Sequence, residues 1–101
     1  MIRGTTPTHI FTTPFDASQI KGGKVIYMQD GVNIIEKEIG ECALEGQTIR
    51  VRLTQEESFK FDCHKGYVYI QIRLLTTSKD VVASDLMRMA VERCLDSEVL
   101  I

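Results

Sequence analysis

Cys63 and His64 are the one juxtaposed Cys–His pair in the chain, and with His9, Cys42 and Cys94 they could complete a zinc tetrad. No CxxC or HxxxH spacing accompanies them, and neighbouring residues on a strand point to opposite faces, which sets the two donors apart. The same pair could act as a thiol nucleophile with its base, a chemistry that needs an orienting group and an oxyanion site. No local signature marks either residue, and a buried thiol beside a loop histidine accounts for both. Glu36, Glu38, Glu56 and Glu57 have spacings compatible with acid–base work. A solvated strand face beside Lys37 explains the first two, and a helix cap explains Glu57. Gly22-Gly23-Lys24 echoes a phosphate loop but lacks its first Gly and its following Ser or Thr, so a tight connection into the next strand is expected. The expectation is a protein with no catalytic, cofactor-binding or metal residues. What remains is surface: Tyr67, Tyr69 and Arg73, at period two, are residue types favoured at binding hot spots and are the candidate partner-binding residues.

The elements that position these residues are strands. Thr5 to Thr13 is Thr-rich and extended, with Pro7 and Pro14 forbidding a helix and Pro7 suggesting a sheet edge. Pro14 to Ser18 reads as a corner over Phe15 and Ile20. Two apolar runs, Lys24 to Gln29 and Val32 to Ile39, flank Asp30-Gly31, the strongest hairpin signal in the chain. A short strand over Cys42 to Glu45 ends at Gly46. Thr48 to Leu53 then alternates, with Ile49, Val51 and Leu53 inward and Arg50 and Arg52 outward. Thr54 and Glu57 form a capping-box pattern that predicts one helical turn, crossing between sheets and anchored by Phe59 and Phe61. Gly66 to Thr76 is the clearest strand, with Val68, Ile70, Ile72 and Leu74 on one face. Val81 to Leu95 supports two readings. A strand turns Met87, Met89 and Val91 inward, whereas a helix aligns Val82, Leu86, Met89 and Arg93. The strand is preferred because a sandwich needs a closing strand beside Gly66 to Thr76. The result is one all-β domain over 1–101, an immunoglobulin-like antiparallel β-sandwich of about seven strands with one short helical turn near 55–59.

Composition agrees with an ordinary globular protein. Of 101 residues 44% are hydrophobic and 26% charged, and without Trp the core rests on Ile, Val, Leu and Met. A net charge of −2 lacks the basic excess that a nucleic-acid partner calls for, and no apolar run approaches the ~20 residues of a membrane span. The polar N-terminus has no secretory h-region, and three widely spaced cysteines are not a disulfide framework. The expected location is a cytoplasm, with release by lysis.

Arg3-Gly4-Thr5-Thr6-Pro7-Thr8-His9-Ile10-Phe11-Thr12, followed by Pro14-Phe15-Asp16, resembles a family of small proteins from phages and prophages of Gram-positive bacteria. Leu53 to Glu57, Val68 to Arg73 and Ala83-Ser84-Asp85 carry the same resemblance. The layout is similar to the N-terminal immunoglobulin-like domain of phage upper-baseplate proteins. The resemblance implies a structural or adaptor protein of a virion, tail or baseplate, acting by self-association or by packing on other phage structural proteins, and it carries over no catalytic residue. A phage inhibitor or regulator of a host protein is the alternative, and a small Cys/His enzyme or metal protein the third reading.

Overall fold

In the computed structural model, which describes residues 1–101, the alternating stretches become strands and their turn residues become turns. The order is β1 (Thr8–Thr12), β2 (Ile20–Gln29), β3 (Val32–Glu38), β4 (Ala43–Glu45), β5 (Thr48–Arg52), α1 (Gln55–Phe59), β6 (Tyr67–Thr76), β7 (Val81–Ala83) and β8 (Met87–Ala90). Three strands form one antiparallel sheet in the order β1-β5-β4. Five form the other in the order β3-β2-β6-β7, with β8 also on β6. Matched to the strands of an immunoglobulin domain, the first sheet has the B-E-D order and the second C′-C-F-G. The fold is an all-β sandwich, with β1 at a sheet edge as Pro7 indicated. The segment around Ile2 runs parallel to the stretch after β8, through a bridge to Glu92.

Local chemistry explains the joints. Asp30 and Gly31 both adopt positive φ, 52° and 75°, as a two-residue hairpin with right-handed strand twist demands. Asp16 and Gln19 close a capping box over the 3₁₀ turn Ala17–Gln19 at the corner, and Phe15 and Ile20 pack against the core there. Thr54 Oγ1 accepts the Glu57 N–H at 3.1 Å while Glu57 accepts the Thr54 N–H at 2.9 Å. The resulting turn, α1, carries the chain from β5 in one sheet to β6 in the other, with Phe61 buried just beyond it.

Two boundaries differ from expectation. β2 starts at Ile20, not near Lys24, so Gly22 and Gly23 lie inside the strand beside a register shift between Ile20 and Gly22. Gly23 has φ 145°, and a Cβ there would stand 2.1 Å from the Arg73 carbonyl oxygen, so only glycine lets the β2 and β6 backbones approach. The closing segment is strand but divides in two, giving eight strands. Ser84 causes the break, because its Oγ accepts the Ile72 N–H at 3.0 Å in place of a ladder carbonyl.

The core lies between the sheets. Val25, Tyr27, Ile49, Val51, Leu53, Phe61, Val68 and Ile70 are almost wholly buried, each apolar side chain contributing about 1.5–3 kcal/mol relative to exposure. Tyr27 stands mid-strand on β2, the place where antibody domains carry Trp. Its hydroxyl meets His9 Nδ1 at 2.8 Å, so one polar contact pins β1 of one sheet to β2 of the other. Burial and the Met1 ammonium hold the His9 pKa below its ordinary value, and burial raises that of Tyr27, so the contact joins two neutral groups.

Candidate binding surface

The outer face of the five-stranded sheet follows from the register. Tyr67, Tyr69, Gln71 and Arg73 project from β6, opposite the buried Val68, Ile70, Ile72 and Leu74. Tyr69 lies between Met28 on β2 and Arg88 on β8, Gln71 is paired with Ile26, and Arg73 lies between Lys24 and Ala83. Tyr67, the first residue of β6, and Tyr69 remain 46% and 38% exposed. Arg88 places its guanidinium carbon 4.5 Å from the Tyr67 ring centroid, a cation–π contact that stiffens both side chains. Beside them, Ile26, Met28, Asn33, Tyr69, Gln71 and Leu86 line a shallow depression of about 120 Å³.

The three expected surface residues do not form one cluster. Tyr67 and Tyr69 are neighbours on the face, but Arg73 stands four residues beyond Tyr69, roughly 13 Å along the strand. There it adjoins Lys24, whose ammonium is 4.0 and 3.9 Å from the Glu36 and Glu38 carboxylates. The cation that serves the tyrosines is Arg88. Its signal in the sequence is alternation, since Arg88 separates the inward Met87 and Met89, but the undecided assignment of that segment hid it.

The start of β6 is held from below. Gln29, 2% exposed, accepts the Asp62 N–H at 2.7 Å and donates to the carbonyls of Asp62 at 2.9 Å and Tyr67 at 3.2 Å. This buried amide fixes where Tyr67 emerges and is a positioning residue that periodicity alone does not single out.

The cysteines and carboxylates fall elsewhere. Cys63 and His64 lie in a 3₁₀ turn, Cys63–Lys65, and not on a strand, so the expected divergence of their side chains does not hold. With Asp62, one donor atom from each falls within 4.8 Å of the others, a spacing that could hold a metal ion. The Asp62 carboxylate accepts the backbone N–H of His64 at 2.8 Å, so it caps the turn instead of orienting the imidazole for base catalysis. The structure does not join His9, Cys42 or Cys94 to this group: His9 is bound to Tyr27, and burial followed by the Glu41 charge raises the Cys42 pKa, away from thiolate character. Glu57 is 2.8 Å from Lys37. Its partial burial opposes ionisation, but the Lys37 and Thr54 hydrogen bonds and the Lys37 charge together prevail and hold its pKa below the usual carboxylate value. A carboxylate held this way is a structural anion.

No family model matches the chain, and no curated protein and no solved structure is detectably similar to it.

Proposed function

We propose that the chain is an assembly module: a structural or adaptor protein of a phage particle that works by docking the outer face of its five-stranded sheet on another protein. The observation that carries this reading is the Tyr67–Arg88 pair beside Tyr69, an aromatic and guanidinium cluster held open on the sheet face where β6 begins. Such side chains bring large contact area at low entropic cost, and Tyr and Arg are enriched where binding energy concentrates. Met28, Ile26 and Leu86 add an apolar floor, and the Lys24, Glu36 and Glu38 group forms a charged rim. The resemblance to small phage and baseplate proteins supplies the setting of a virion, tail or baseplate.

Mass spectrometry of particles purified from the encoding phage or prophage tests the setting, with the chain expected at stoichiometric abundance. Its absence from particles overturns the virion role. Incorporation of a Tyr67→Ala/Arg88→Ala variant tests the face. Both side chains lie outside the core, so the variant should fold and be lost from the particle, and undiminished incorporation would refute docking through this face.

A further inference from the structure

The four edges of the two sheets are not protected alike. β3 carries a register shift opposite β2, the charges Glu36 and Glu38, and the inward-pointing Lys37, whose side chain is only 13% exposed against Glu57. β4 is three residues long. The β7–β8 border is broken at Ser84, and the stretch following it is paired with Ile2. These are the devices by which natural sheets prevent edge-to-edge pairing. β1 has none of them. Thr8-His9-Ile10-Phe11-Thr12 contains no charged residue, no proline and no bulge, and its register with β5 runs unbroken over all five residues.

The hydrogen-bond phase of this edge is fixed by its two ends. Leu53 donates to the Pro7 carbonyl at 3.0 Å and Thr13 donates to the Gln47 carbonyl at 2.8 Å. Bonding alternates along an antiparallel ladder, so the odd-numbered residues of β1 face β5. The N–H and C=O groups of Thr8, Ile10 and Thr12 therefore point away from the sheet. The Ile10 side chain, between the two threonines, is 60% exposed.

We infer that β1 pairs antiparallel with β1 of a second copy of this chain, about a two-fold axis at Ile10, joining the two three-stranded sheets into one. The edge is self-complementary in this register. Ile10 meets Ile10, Thr8 meets Thr12, and on the inner face His9 meets Phe11. Every outward backbone group of the three residues then finds a partner, and each cross-strand side-chain pair is of a favourable or neutral type. Charge does not oppose the contact. The nearest cations on this face, Arg50 and Arg52, stand one strand back on β5, so the two sets are separated by three strand spacings, roughly 14 Å. That exceeds the screening length of about 8 Å at physiological salt. The two-fold closes the assembly, because the only open edge of each copy is used.

This contact lies on the other sheet from the Tyr67–Arg88 face, so the two readings fail separately. Light scattering and sedimentation equilibrium on the purified protein should give a dimer, and Tyr67→Ala/Arg88→Ala should leave it intact. Ile10→Lys and Ile10→Glu each place like charges directly across the axis and should raise the dimer Kd by at least about tenfold. Mixing the two variants should restore a heterodimer, since Lys then faces Glu. In the unmodified chain, amide exchange at Thr8, Ile10 and Thr12 should slow as concentration rises, a readout that needs no variant. A monomer at the highest soluble concentration, dimers unaffected by either substitution, or no heterodimer from two folded variants would overturn the proposal.

Discussion

Gly22 and Gly23 are adjacent on one strand, yet alanine should have opposite effects at the two positions. At Gly23 the new Cβ would lie 2.1 Å from the Arg73 carbonyl oxygen and 3.0 Å from the Leu74 Cα, at φ 145°. Even a close carbon–oxygen contact needs about 3.3 Å, so β2 and β6 must part by about 1 Å where Gly23 faces Leu74. Forcing the backbone there costs about 1–3 kcal/mol, and weakening a ladder hydrogen bond adds about 0.5–1.5 kcal/mol. A loss near 3 kcal/mol corresponds to a drop of about 12–24 °C in Tm for a domain of this size. At Gly22 no heavy atom lies within 4 Å of the Cβ position. Alanine there should be neutral or should stabilise by about 0.4–1 kcal/mol, through reduced freedom of the unfolded chain. Thermal and urea unfolding of both variants measure the difference. If Gly23→Ala melts within about 4 °C of the parent, the value of roughly 1 kcal/mol, the close approach of β2 and β6 is not what requires the glycine.

Thr54→Ala removes the hydroxyl that accepts the Glu57 N–H and should cost about 0.5–2 kcal/mol in urea unfolding; an unchanged midpoint would show that α1 does not depend on its cap. Burial and the Met1 ammonium hold the folded-state pKa of His9 below its ordinary value, so the unfolded chain takes up that proton first as pH falls. The stability tied to neutral His9 is complete above about pH 6.5 and declines as pH falls through the folded pKa. Melting temperatures between about pH 7 and 5 should therefore fall more steeply for the parent than for His9→Gln, and parallel curves would refute it.

The sequence was most legible where one local rule acted alone. Asp30-Gly31 and Thr54 to Glu57 each complete a geometry within four residues, so they read correctly without the rest of the chain. The alternation in β5 and β6 sorted inward from outward residues for the same reason. Glycines hid the first half of β2, because their place there depends on the backbone of β6, some fifty residues away. The break between β7 and β8 rests on a Ser84 hydroxyl that replaces a ladder carbonyl, which composition cannot signal. The surface was half legible. Tyr67 and Tyr69 follow from period two, whereas Arg88 reaches Tyr67 only through the pairing of β8 with β6. The turn at Cys63 and His64 was misread because their orientation was judged as though they lay on a strand.

The strand order also dictates how the chain must find its fold. Only β2–β3, β4–β5 and β6–β7 join neighbours in sequence by short turns. β1 must wait for β5 and β2 for β6, pairings that close loops of roughly forty to fifty residues and lose loop entropy before any contact compensates. A domain wired in this way belongs with the β-sandwiches that refold in roughly milliseconds to seconds. During that interval the Ile- and Phe-bearing segment Thr8–Thr12 lacks its one strand neighbour, β5. On a ribosome it emerges well before β5 has been made, so the first strand synthesised stays unpaired until Thr48–Arg52 has followed it.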